Sequence, residues 1–183
     1  MKRRTFLAAP LAVSSLAAFA GTNEIQNDPL KKAVKVDAGK DRNDKSFIFL
    51  GARFDLKVSG KDCSGSMSVY DTFRNEKVGP PLHSHNDLDE WFYVMEGEFK
   101  FKVGDELMKL KQGDSLLGPR GVPHTFIKTN DGPARLMVLH TPAGTMEEYF
   151  EEVRALKNPT PADRKALMKK HNMELVGPPL TLD

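Results

Sequence analysis

A single cysteine, Cys63, is all the thiol available to this chain of 183 residues, so no internal disulfide framework can hold it together. There is no block of Lys and Arg interleaved with aromatics, which leaves nucleic-acid binding without an electrostatic footprint. Neither G-x-x-x-x-G-K-[ST] nor G-x-G-x-x-G occurs, so no loop built to cradle a phosphate is expected. No uninterrupted apolar run reaches the roughly 20 residues that a membrane-spanning helix needs. The longest apolar stretch, Phe6 to Ala20, is broken by Pro10, Ser14 and Ser15. What is present suits one domain with an ordinary core: 39% of residues are hydrophobic, with eleven Phe among them.

The first twenty residues read as a targeting segment. MKRRTFLAAPLAVSSLAAFA has a basic start, an apolar middle and small residues at its end, with Ala18-Phe19-Ala20 fitting an A-x-A cleavage site. Cleavage after Ala20 leaves Gly21 first and no stable membrane anchor. The start resembles a twin-arginine export signal, since Arg3-Arg4-Thr5-Phe6-Leu7 reproduces R-R-x-F-L. It departs from that signal at Ala8, where Lys is common, and at Lys2, where Ser or Thr is usual. The resemblance implies periplasmic or secreted delivery of a folded chain, with the general secretory route as the alternative. Taking Lys2, Arg3 and Arg4 from the 27 basic side chains leaves 24 against 25 acidic ones, a near-neutral remainder. Residues 21–45, polar and rich in Gly, Asn and Asp, are expected to be a linker or tail.

The middle of the chain, residues 46–142, reads as strands. Phe47 to Leu50 is a short apolar run closed by Gly51. From Ser66 to Phe73 side chains alternate, Met67, Val69, Asp71 and Phe73 on one parity and Ser68, Tyr70 and Thr72 on the other. Phe99-Lys100-Phe101-Lys102-Val103 alternates apolar and basic, and Arg135 to His140 forms another run. Glycines 97, 104 and 113, each followed by an acidic residue, punctuate the runs. Many short strands with such turns argue for an antiparallel sandwich or barrel. Beyond Pro142 the period changes: Met146, Tyr149, Phe150 and Val153 are spaced as one face of a helix. Thr145 and Glu148 are placed for a capping box. Thr160-Pro161 opens a second helix that runs to about His171. Residues 143–183 are therefore expected to be a helical tail. GPPL occurs twice, at 79–82 and 177–180, with unrelated flanks, and is read as coincidence.

PLHSHNDLDE, residues 81–90, concentrates two histidines and three carboxylates. On an extended strand positions i and i+2 share a face, so His83 and His85 aim into one space. Glu90 shares a face with Phe92 and Val94, and a carboxylate in an inward stripe is costly unless a cation offsets it. His124 opens the strand His124-Thr125-Phe126-Ile127 after the turn Gly118-Pro119-Arg120-Gly121. Asp87 and Asp89 read as solvated loop residues, His140 and His171 as structural, and Cys63 as a bystander. Trp91 and Tyr93, opposite in parity to Glu90, are expected outside the barrel or at a subunit interface.

These two stretches resemble the paired signatures of the cupin superfamily. G-x5-H-x-H-x3–4-E-x6-G is met by His83, His85, Glu90 and Gly97, although Gly79 stands only three residues before His83. G-x5-P-x-G-x2-H-x3-N is met by Gly113, Pro119, Gly121 and His124, with Lys128 in place of the final Asn. The resemblance implies an all-β cupin jelly-roll barrel with a short C-terminal helical extension, and it carries the metal set over to His83, His85, Glu90 and His124. Imidazole and carboxylate together suit a divalent first-row ion, Fe, Ni, Mn, Cu, Co or Zn. The E-W-F-Y-V-M-E-G run and the V-G-P-P-L end resemble exported single-domain cupins described as similar to quercetin dioxygenase. That likeness implies a dioxygenase acting on a small flavonol- or enediol-like molecule, with Glu90 as ligand and general base. The alternatives are a non-catalytic periplasmic module binding a small carbohydrate or phenolic, or a metal-assisted isomerase with Lys128 or Tyr70 as its extra acid or base. A homodimer is the expected assembly.

The export reading is directly testable. Replacing Arg3 and Arg4 together with Lys should leave uncleaved precursor in the cytoplasm, followed by fractionation and immunoblot. Normal delivery of R3K/R4K would assign the chain to the general secretory route.

Overall fold

A computed structural model of the chain describes residues 32–183; the expected targeting segment and the first part of the expected linker lie outside them. The described residues form eleven strands and two helices. The strands are β1 (Phe47–Phe49), β2 (Ala52–Val58), β3 (Ser68–Arg74), β4 (Pro81–His85), β5 (Asp89–Glu96), β6 (Glu98–Val103), β7 (Glu106–Lys111), β8 (Ser115–Gly118), β9 (His124–Lys128) and β10 (Ala134–Thr141). Helices α1 (Met146–Ala155) and α2 (Pro161–Lys170) follow, and β11 (Met173–Pro179) closes the series. Two sheets face each other, in the orders β1-β2-β3-β10-β5-β8 and β11-β4-β9-β6-β7, and every pairing is antiparallel.

Alternation decides which side chains fill the space between the sheets. On β5, Glu90, Phe92 and Val94 point inward, as their parity requires, while Tyr93 is exposed. On β6, Phe99 and Phe101 are wholly buried and pack on Phe126 of β9, with ring centroids 6.0 and 5.0 Å away. β3 behaves less obviously. Its inward parity is the polar one: Tyr70, Thr72 and Arg74 are 2%, 0% and 3% exposed, whereas Phe73 lies on the surface. Asp71, on the outer parity, is covered by the Arg135 guanidinium, whose Nε donates to it at 2.8 Å.

The two helices close one end of the barrel. Met146, Tyr149 and Phe150 of α1 are buried, and Phe150 lies 5.2 Å from Phe54 and 5.0 Å from Tyr70. The expected capping box at Thr145 does not form. Its backbone, at φ −108° and ψ 28°, is not in the extended region an N-cap needs, and its hydroxyl instead meets His171 Nδ1 at 2.9 Å. At α2 a box does form, with Thr160 and Asp163 satisfying each other's backbone N–H groups behind Pro161. His171 ends α2 as expected, and Asn172 takes the left-handed turn at φ 57°.

Three further features depart from the sequence reading. The tail is not helical throughout, since β11 pairs with β4. That pairing sets the two GPPL segments against each other, Gly177 opposite Leu82 and Pro179 opposite Pro81. β11 is an edge strand, and both segments lie where its ladder with β4 is already irregular, which tolerates proline. Finally, the linker is pinned at its end: Asp41 is buried and accepts N–H bonds from Asn43 (2.7 Å) and, across the fold, from Leu56 (2.7 Å).

Gly79 lies so close to β9 that a Cβ there would sit 1.6 Å from the Phe126 carbonyl oxygen. Overpacking of this kind costs about 3 kcal/mol or more when backbone has to move. G79A is therefore expected to lose about 3 kcal/mol in urea unfolding; a change below about 0.5 kcal/mol would mean the approach is not rigid.

Candidate metal centre

Three strands from both sheets deliver the cluster. β4 contributes His83 and His85, one strand step pair apart, and β9 contributes His124, which stands directly opposite His83 in register. β5, in the facing sheet, contributes Glu90. The turn carrying the second motif is fastened to the first motif's strand: the Gly121 N–H donates to the His85 carbonyl at 2.6 Å. Gly121 takes φ +74°, a conformation that favours glycine. Arg120 in the same turn chelates Asp89, Nη2 to Oδ2 at 2.8 Å and backbone N–H to Oδ1 at 2.8 Å.

All four side chains are buried, and one ligand atom from each lies within 4.8 Å of the others. The ring centroids of His83 and His124 are 4.7 Å apart, and those of His83 and His85 5.1 Å. A metal bonded at about 2.1 Å spans about 4.2 Å between opposite ligands, so small side-chain rotations close the set. The tautomers fit as well. His83 Nδ1–H donates to the Pro81 carbonyl at 2.8 Å, and His124 Nδ1–H to the Val122 carbonyl at 3.0 Å. Each Nε2 is thereby left to face the cluster, the arrangement that orients metal-binding imidazoles. The donor set can hold a divalent metal.

Charge inside the cluster is shared unequally. Burial pushes the His83 imidazolium down to about 3, and the neighbouring His124 and His85 push the same way. Burial also lowers His85, against its bond to Glu90. For Glu90, burial favours the neutral acid, but hydrogen bonds from His124, His140 and His85 outweigh it and hold the carboxyl well below its usual range. His124 is raised because its 2.8 Å contact with Glu90 overcomes its own burial. Glu90 is thus a carboxylate, with Oε2 facing His124 and His85 (3.2 Å) and Oε1 facing His140 Nε2 at 3.3 Å.

His140, read from the sequence as structural, stands beside the cluster. Its position beside the carboxylate follows from parity, because His140 shares the inward face of β10 with Leu136 and Val138 and stands opposite Glu90 in register. Its Nδ1 lies 3.2 Å from Ser68 Oγ. The two residues named as isomerase acids or bases do not line the cavity: Lys128 donates to the Asn130 carbonyl at 2.6 Å, and the Tyr70 ring packs between Phe54, His140 and Phe150. Asp87 and Asp89 lie outside the cluster, bound to Asn172 and Arg120. Cys63 has its thiol 3.2 Å from the Met67 carbonyl, and His171 binds Thr145. Trp91 and Tyr93 stack at 5.9 Å on the outer face.

The cluster opens into a cavity of about 70 Å³ whose wall includes Phe54, Phe126, Val138 and Phe150. Arg74, which sequence reasoning passed over, also lines it. Beyond Phe49, Leu50, Pro81, Tyr149 and Met168, which border both spaces, a wider cleft of about 550 Å³ lies between the helices and β11.

Residues 72–140 match the family model of the cupin domain, Cupin_2. With two facing antiparallel sheets and the strand order above, the fold is the cupin jelly roll. A curated relative, Protein SchB of Streptomyces halstedii, is 34% identical over 74 residues, which is 40% of this chain and 52% of that one. The chain thus spans about half the length of the curated relative it matches. Among solved structures, an RmlC-like cupin from Shewanella frigidimarina is similar at 21% identity and a TM-score of 0.47, covering 54% of this chain and 84% of that one. A protein from Thermotoga maritima described as a predicted oxalate decarboxylase is similar at 16% identity and a TM-score of 0.48, over 50% of this chain and 80% of its own.

Alanine at His83, His85 or His124 should each reduce bound metal below one equivalent while circular dichroism stays that of the folded barrel. Full metal occupancy in all three variants, measured by plasma emission spectrometry, would remove these histidines from the ligand set.

Proposed function

We propose that the chain is an exported metal-dependent cupin, delivered to the periplasm or secreted, that acts as a dioxygenase on a small flavonol- or enediol-like substrate. The observation that carries this reading is the division of labour at Glu90: one carboxylate oxygen faces the histidine cluster while the other is held by His140. A divalent ion held by His83, His85, His124 and Glu90 Oε2 would supply Lewis acidity toward a substrate's paired oxygens.

The chain's own residues account for the rest. Glu90 Oε1, ionised at neutral pH, is placed to take a hydroxyl proton from an enediol. His140 Nε2–H, donating to that same oxygen, orients the carboxylate that receives the proton, and Ser68 Oγ beside Nδ1 fixes the ring's orientation. Phe54, Phe126 and Phe150 keep the chamber dry, which strengthens each charge interaction within it. The inner cavity suits the enediol head of a ligand, and the wider cleft beside α1 and β11 suits an aromatic remainder. The stacked Trp91 and Tyr93, with Leu117 half exposed on the neighbouring β8, support a homodimer formed through that sheet face.

Glu90→Gln keeps the shape and one amide oxygen but removes the negative charge and the proton acceptor. Loss of a positioned base costs about 10²–10⁴ in rate. Oxygen uptake with flavonol or catechol-like substrates is therefore expected to fall at least a hundredfold, with metal content falling much less. Absence of uptake by wild type loaded in turn with iron, nickel, copper and manganese would overturn the dioxygenase reading and leave the metal-binding cupin.

A further inference from the structure

Arg74 is the unexplained charge of the inner cavity. It ends β3 on the inward parity, is 3% exposed, and lines the same chamber as His83, His85 and Glu90. Its Nε is fully buried with no hydrogen-bond partner among the described residues. The guanidinium is instead clasped by rings, 4.7 Å from the Phe126 centroid and 5.7 Å from that of Phe54. Cation–π contact of this kind offsets only part of the cost of desolvating a cation. Burial lowers its pKa to about 10, against the pull of the Glu90 charge, so it remains a cation at neutral pH.

Counting charges shows what is missing. Glu90 is the one acidic side chain among the described residues lining this chamber. Histidines that ligate a metal are neutral, so in the loaded site Glu90 and Arg74 cancel. A divalent ion at the cluster then adds two uncompensated positive charges to a space walled by aromatic and aliphatic groups. Such a chamber favours an anion strongly over a neutral molecule of the same shape, because the low dielectric amplifies both attractions. Arginine adds direction, since its planar fork meets a carboxylate or paired enolate oxygens bidentately.

We propose that the inner cavity takes a small organic anion, a carboxylate- or enolate-bearing molecule, with Arg74 as its buried counter-ion. This rests on the reading of the histidine–glutamate cluster as a metal site and narrows its substrate class: the ligand arrives ionised rather than being deprotonated only at Glu90. Arg74 is a binding and specificity-determining residue here, and the aromatic pair Phe54 and Phe126 holds its fork in place before the ligand enters.

The test uses the full-length mature protein loaded with zinc, which is redox-silent, and two probes of equal shape, benzoate and benzamide, titrated by calorimetry. In wild type, benzoate should bind at least tenfold more tightly than benzamide. Arg74→Gln should weaken benzoate at least tenfold, leave benzamide within twofold, and retain one equivalent of zinc. Arg74→Lys, which keeps the charge without the fork, should fall between the two and covers the case in which the glutamine variant does not fold. Equal benzoate affinity in wild type and Arg74→Gln, or no preference for benzoate in wild type, would overturn the proposal while zinc content leaves the metal reading intact. Failure of wild type to hold zinc would instead strike at the metal reading itself.

Discussion

A buried carboxylate governs this barrel. Glu90 projects from β5 into the space between two sheets, and what keeps it ionised there is a ring of imidazoles drawn from three other strands. His124 and His85 reach it from one sheet, His140 from its own. Burying an unpaired ion of this size would cost several kcal/mol, so the sheets must pack at a spacing and twist that bring these groups within hydrogen-bond reach. Register between β4 and β9 at His83 and His124, and between β5 and β10 at Glu90 and His140, is thereby fixed by chemistry as well as by hydrophobic alternation. A one-residue slip on either strand would turn a partner to the other face and strand the charge.

Around that ring the structure is organised in layers. The Gly121 amide on the His85 carbonyl and the Arg120–Asp89 pair bind the two motifs into one unit. Beneath it the phenylalanines of β5, β6 and β9 form a packed floor. Above it α1 and α2 cover the mouth, held to each other through His171 and Thr145. The cavity is thus apolar on nearly every side and charged at a few fixed points, a combination that lets a small number of groups decide which molecule enters.

The barrel and the cluster were legible because their signals are local. His83, His85 and Glu90 lie within eight residues, and period-two alternation assigns their faces without knowledge of any neighbour. The second half was legible because the glycine and proline of its turn have conformational requirements that few other residues meet. What escaped was non-local. On β3 alternation alone left the buried face undecided; Tyr70, Thr72 and Arg74 face inward, where the neighbouring strand's Leu136 carbonyl takes the Thr72 hydroxyl and the Phe126 ring takes Arg74. His140 was legible as a strand residue but not as a neighbour of Glu90, a relation set by cross-strand register. β11 was hidden by its prolines, which depress strand propensity but do no harm at an irregular margin. The Thr145 hydroxyl fits a cap in sequence and is claimed in space by His171.

The pairing of β11 with β4 has a consequence for the order in which the molecule is assembled. β4 carries two of the imidazoles but meets β9 at only one register position, so its more extensive ladder is the one with β11. That partner lies about ninety residues downstream, beyond two helices, and contacts so distant in sequence form slowly because a long loop must close first. The ladder that holds the histidine-bearing strand is therefore the sheet contact with the longest intervening loop to close. The placing of two candidate metal ligands thus leans on a proline-rich strand that contributes no donor of its own.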